Sequence, residues 1–256
     1  MTLTQIIELM AIELPGASLD NILALTNRTL RNLARQRAWR FYESEEQFDL
    51  EAYYSTGTVD TTEGLVAVTG TDTVWGAGYV GWKIKFSGSS HYYTIATVPL
   101  VGSLTLTEAF AEETLADATY QIFQDVYDAP DDFGQLKHIE NLDTGLRYNR
   151  DDFFMWQGKI QFTQVPSSAA PLLLRYYRVP TRMSGPSSTL DVSNSLADCL
   201  VLAVLKSYIS RQLPGDQWYN RLREVDSEYK DALRVAKTND SLEDRTPTRL
   251  ARNLKV

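Results

Sequence analysis

The sequence predicts an α+β protein: an α-helical bundle frame, an inserted small antiparallel β-sandwich or barrel module, and an extended C-terminal tail. Three observations lead there. Apolar residues recur at steps of three and four near both ends of the chain, as on one face of a helix. Between about Phe48 and Tyr127 this gives way to short β-branched and aromatic runs punctuated by glycines. After about Asn239 periodicity stops. The predicted boundaries are residues 1–47 for the N-terminal helices, 48–127 for the β-rich module, 128–238 for short strands and a closing helical hairpin, and 239–256 for the tail.

Ile6, Ile7, Leu9, Met10 and Leu14 have near-helical spacing and stop at Pro15-Gly16. Ser18 is a suitable N-cap for a second helix over 19–39, with Asp20 and Asn21 in its first turn. Leu19, Ile22, Leu23, Leu30, Leu33 and Ala34 form its apolar stripe. Arg28, Arg31, Arg35, Arg37 and Arg40 lie on its polar side, with no acid between Asn21 and Tyr42. Two uses fit them: a solvated face favoured by the helix macrodipole, or a basic inter-subunit face that meets acids of a neighbouring copy.

In the middle, Leu65–Val68, Trp82–Phe86, Tyr92–Ile95, Leu104–Leu106 and Tyr120–Phe123 read as strands, with glycines such as Gly70, Gly81, Gly88 and Gly102 between them. Asp128–Phe133 reads as a turn into a short helical segment ending at Ile139. Lys159–Thr163 and Leu172–Tyr177 read as strands, and Pro180–Ser188 as a connecting loop. Ser195–Gln212 is strongly apolar and reads as a central helix, broken by Pro214-Gly215. Asp216 then starts a helix to about Lys237, completing an αα-hairpin. The tail carries Arg245, Arg249, Arg252 and Lys255 with no acid, alongside Leu250, Leu254 and Val256.

An apolar fraction of 43% and a charged fraction of 23% suit a globular chain that can bury a core. A net charge of −8 should repel nucleic acid as a whole. Cys199 is the single cysteine and sits in an apolar run, which predicts a small buried thiol and a reducing compartment. Met1–Gln5 has no basic n-region, and Glu8 and Glu13 interrupt the apolar stretch after it, so no targeting segment is expected. No apolar run approaches the roughly 18 residues needed to span a bilayer, and no membrane partner is expected.

The usual catalytic patterns are absent: no phosphate-binding Gly-rich loop ending in Lys-Ser/Thr, no Gly-x-Ser-x-Gly and no dinucleotide fingerprint. His91 and His138 lack a second ligand at metal spacing and read as surface or turn residues. Glu43-Ser44-Glu45-Glu46, Asp131-Asp132 and Asp151-Asp152 are adjacent acids, which fit solvated turns better than a convergent site. No enzyme, cofactor or metal is expected.

Three stretches carry a resemblance: Leu30–Phe41; Gly81–Phe86 continuing through Tyr93–Ile95 to Leu104–Leu106; and Leu174–Pro180 with Leu190-Asp191 and the Cys199 helix. In this order the chain resembles the head-to-tail adaptor proteins of tailed bacteriophages, also called head-completion or connector proteins and, in short-tailed phages, tail tubular proteins. The resemblance spans most of the chain and lies in the order of the pieces. It implies a structural virion protein in the neck, assembled in the host cytoplasm. It also implies a ring, usually of twelve copies, between the portal protein and the tail, nozzle or neck protein, through which double-stranded DNA passes without sequence-specific binding. The tail residues Arg245, Arg249, Leu250, Arg252, Leu254, Lys255 and Val256 would then dock on the portal.

Two other readings make distinct demands. A phage carbohydrate- or receptor-binding module, or another tail structural module, would expose coplanar aromatics such as Trp75 and Trp82. A metal-dependent hydrolase would bring Asp131, Asp132 and His138 together.

Overall fold

The computed structural model describes residues 4–8, 18–185, 187–211 and 216–242. It overturns the expected helical frame. Antiparallel β-sheets make up most of the structure, and strands run from Glu43 to Arg178 rather than filling an insertion. The described residues fall into two compact units. One takes those within Met1–Ser44, Asp132–Leu136 and Tyr176–Val256; the other takes Glu45–Asp131 and Lys137–Arg175.

In the second unit a seven-stranded sheet has the order β7-β2-β3-β6-β5-β4-β8. Its strands are β2 (Thr58–Thr61), β3 (Ala67–Thr71), β4 (Lys83–Phe86), β5 (Tyr92–Leu100), β6 (Ser103–Leu106), β7 (Leu115–Ala118) and β8 (Tyr120–Phe123). The two edge strands, β7 and β8, are joined by Thr119 alone. Six strand spacings laid flat would separate the edges by roughly 29 Å. Cα atoms two residues apart lie within about 7 Å. The sheet must therefore curl, and it forms a half-barrel. Irregularities supply the bend: β5 shifts register against β6 between Ile95, Thr97 and Leu100, and β2 shifts against β7 between Val59 and Thr61.

The concave side is packed with Val59, Val68, Ile84, Phe86, Ile95, Leu104, Phe110 and Ile122. Trp75, only 2% exposed, joins them and donates its Nε1–H to Tyr120 Oη at 2.9 Å. Tyr120 in turn donates to the Thr56 carbonyl at 2.6 Å, so two aromatic bodies are buried with their polar ends satisfied.

A small antiparallel sheet has the order β11-β12-β9, from β9 (Val126–Asp128), β11 (Phe153–Trp156) and β12 (Lys159–Phe162). Gln157 and Gly158 join β11 to β12 with φ of 47° and 75°, the two left-handed residues of a primed hairpin turn. A third sheet has the order β1-β13-β10, from β1 (Glu43–Leu50), β10 (Phe133–Asn141) and β13 (Ala170–Arg178). The chain passes from one unit to the other within each of these three strands. The expected helical segment before Ile139 is thus a strand.

The first unit is built on α1 (Leu19–Gln36), α2 (Asn194–Ile209) and α3 (Asp216–Leu242), with residues 4–8 also helical. Ser18 caps α1, its Oγ accepting the Asn21 N–H at 3.3 Å. Ile22, Leu25, Leu30 and Leu33 face inward; Leu19, expected in that stripe, is exposed. α2 packs against both α1 and α3, which explains its nearly all-round apolar character. Cys199 is buried in it, and burial pushes its thiol up to about 11. α3 runs five residues past its expected end at Lys237, to Leu242. Buried Asn27 exchanges two hydrogen bonds with the Met183 backbone, both 2.9 Å, so the segment read as a loose connection is pinned to α1.

Candidate functional site

Charge is unevenly matched in the first unit. There α1 presents Arg31, Ala34 and Arg35 on one side, spaced at three and four residues. The two alanines at 34 and 38 are too short to fill the space beyond the helix. Opposite stand the start of β10 (Phe133, Gly134, Gln135) and the end of β13 with its continuation (Tyr177, Arg178, Val179, Pro180). Between them lies a cavity of about 280 Å³, also lined by Trp39 and Tyr42. Gly134 allows the strands to meet there: a Cβ at that position would lie 2.7 Å from the Tyr177 carbonyl oxygen.

Four arginines line this cavity (31, 35, 37 and 178), and among the described residues no acid does. Two of the four are spent. Arg178 forks onto Asp191, with Nη2 2.7 Å from Oδ1 and Nη1 on Oδ2. That bond holds the Asp191 carboxyl below its ordinary value and raises the guanidinium further. The Arg178 guanidinium also lies 5.4 Å from the centroid of the Tyr42 ring, whose hydroxyl donates to the Asp191 carbonyl at 2.8 Å. Burial raises the Tyr42 phenol above its usual range.

Arg37 ties the end of α3: Nη1 donates to the Lys237 carbonyl at 3.2 Å and Nη2 to Ser241 Oγ at 3.0 Å. Its Nη2 also lies 3.2 Å from buried Asp240 Oδ2. Asp240 Oδ1 accepts the Arg40 backbone N–H at 2.8 Å. Arg31 and Arg35 are exposed and have no partner among the described residues. Like charges four residues apart on a helix destabilise it by about 0.2–0.5 kcal/mol, so this pair is held against a small repulsion that an anion would relieve.

The five arginines anticipated as one basic face thus divide. Arg31 and Arg35 stay open in the cavity, Arg37 is a structural tie, and Arg40 lies in a short 3-10 turn beyond the helix. Arg28 lines a separate hollow with Tyr208 and Arg211. Arg178, Asp191 and the Phe133–Gln135 wall were not singled out for the site. Their only sequence signal was the Tyr-Tyr-Arg-Val-Pro run with Leu190-Asp191 downstream. The proposed tail residues Arg245, Arg249, Leu250, Arg252, Leu254, Lys255 and Val256 lie outside the described residues.

Elsewhere, several charged groups are locally matched. His91 Nδ1 is 2.9 Å from Glu112 Oε1, and bonds from His91, Ser89 and Ser90 pull that carboxyl down to about 2. His138 is no surface residue: its side chain is 11% exposed and 3.4 Å from Glu140, with Arg147 and Arg175 near. Burial first, then Arg147, lowers its pKa. Asp132 accepts the Tyr176 hydroxyl at 2.8 Å, and Asp152 accepts the Asn149 N–H at 2.7 Å, both ordinary structural uses. Among the described residues no group of three or more His, Cys, Asp or Glu side chains could hold a metal ion. No helix among them is long and apolar enough to cross a membrane.

The aromatics are likewise mostly interior, including Trp75, which the carbohydrate reading needs outside. Tyr92 and Tyr219 are exposed singly, and on β11 Phe154 (48% exposed) and Trp156 (46%) share one face beside Gln161 and Lys159 of β12. Set against known proteins, the chain matches no family model and no curated protein.

Proposed function

We propose that the protein is a non-enzymatic structural component of a phage virion. In this reading it is a head-to-tail adaptor that forms a ring between the portal and the tail, around the DNA exit channel. The resemblance of its three quoted stretches supports this. In the geometry, one observation carries it: among the described residues the α1 cavity holds four arginines and no acid, with two of the arginines unpaired, on a chain of net −8. Such a chain carries two unlike surfaces, and a ring closes through contacts between two different faces of each copy. The acidic balance would also keep the channel from adhering to passing phosphates. The basic tail would reach the portal, and a nozzle or neck protein would cover the other side.

The test is to mix the purified protein with candidate portal rings and image the product by electron microscopy. A ring stacked on the portal is expected; free monomer with every portal tried would end the reading. Removing residues 245–256 should abolish portal binding.

A second reading, a carbohydrate- or receptor-binding module, is favoured by the Phe154–Trp156 face, whose rings lie beside Gln161, Lys159 and Asp128. It requires glycan-dependent tryptophan fluorescence that is lost in Trp156→Ala.

A further inference from the structure

We infer that the α1 cavity seats an acidic turn of a second copy of this chain. This rests on the assembly reading and deepens it by naming what occupies the site. The cavity's chemistry is specific in sign: its wall offers Arg31 and Arg35 without a partner among the described residues, while the described acids nearby are engaged, Asp191 on Arg178, Asp240 on Arg37 and Asp132 on the Tyr176 hydroxyl. An occupant must therefore bring a carboxylate or another anion. The alanines, Trp39 and Phe133 in the same lining ask for an apolar group beside it.

Charge complementarity selects the source. Four of the chain's 25 lysines and arginines line this cavity, and the other 21 are set against 33 aspartates and glutamates, a balance of −12. A nucleic acid approaching the cavity meets that excess as repulsion, whereas a second copy presents it as ligand. Three exposed turns of the β-rich unit pair an acid with exposed aliphatics: Glu63 with Leu65 and Val66, Asp72 with Val74, and Asp143 with Leu142 and Leu146. Among the described residues none of these three carboxylates has a partner.

The experiment is sedimentation velocity on the full chain over rising concentration, at low and raised ionic strength. Self-association that salt weakens is expected. The double variant R31Q/R35Q should weaken it by about tenfold or more, and R31K/R35K by less. One of Glu63→Gln, Asp72→Asn and Asp143→Asn should reproduce the loss, with circular dichroism confirming that every variant folds. Three results would overturn the proposal: monomer at all concentrations, association indifferent to R31Q/R35Q, or all three turn variants associating like the parent. Duplex DNA binding that drops in R31Q/R35Q would also overturn it, by assigning the cavity to phosphate. Portal binding is scored separately. Association through the cavity without portal binding keeps this inference and removes the adaptor reading; portal rings formed equally well by R31Q/R35Q do the reverse.

Discussion

The two units differ in the polar bonds that tie distant parts of their scaffolds together. The helical unit is tied by long-range charged and amide bonds: Arg178 to Asp191, Arg37 to the end of α3, and Asn27 to the Met183 backbone. The β-rich unit is closed by aromatic bodies with a single polar handle each, as in the chain from Trp75 through Tyr120 to Thr56. Aromatic handles, once bonded, leave nothing over. In the lining of the α1 cavity guanidinium groups outnumber acids among the described residues, which leaves a local surplus at Arg31 and Arg35. A surplus of this kind is where a partner can add stability.

The sharpest way to break this comparison is to damage each core separately. Trp75→Ala in the β-rich unit should cost about 3–5 kcal/mol, and Leu200→Ala in the helical unit about 2–5 kcal/mol. Urea unfolding followed by fluorescence and circular dichroism should show each change moving its own unit's transition. One shared transition, displaced equally by both, would erase the distinction.

Next in size is Asp191→Asn, which removes a charged fork and should cost about 1.5–3 kcal/mol at neutral pH. Because the folded carboxyl is depressed, its contribution is present above the unfolded value near 4 and is lost as pH falls through the folded value. Parent and variant should therefore converge in acid; a constant gap down to the lowest pH would contradict the assignment.

His138 gives a smaller effect within the β-rich unit. Its pKa is depressed by burial and by Arg147, so the unfolded chain takes up a proton first as pH drops below about 6.5. Stability should be full above that pH and decline below it, no more steeply than about 1.4 kcal/mol per pH unit. His138→Gln should flatten the urea midpoint over this window, and an unchanged slope would sink the idea. Least of all, Asp231→Ala should change the unfolding free energy by no more than about 0.5 kcal/mol, since the Arg234–Asp231 pair is exposed on both sides.

Much of the helical unit was legible because a helix repeats its signal over many residues. Ser18, the inward stripe of α1 and the apolar length of α2 all announce themselves. Strands of four residues offer less. β4, β5, β6, β8, β12 and β13 stand out through Ile, Leu, Phe and Tyr. β1 does not, since Glu43-Ser44-Glu45-Glu46 hides a strand that buries only Leu50. In β10 the apolar residues Phe133, Leu136 and Ile139 fall three apart, which imitates a helix, although the backbone is extended. β11 was obscured by its turn, because Gln157-Gly158 takes a conformation more often announced by Asn-Gly. The helices therefore looked like a frame, while strands that outnumber them went partly unseen. Within the site, the arginines were visible and their fates were not. Which are spent depends on Asp191 and Asp240, far along the chain.

Thr119 leaves a kinetic signature. Because β7 and β8 are neighbours in sequence but occupy opposite edges, the chain can place both only once the five strands between them have found their order. Closure there is a late event that draws on contacts distant in sequence, the kind that slows folding. A circular permutant opened at Thr119 would relieve the half-barrel of that requirement. It should fold faster while reaching the same sheet.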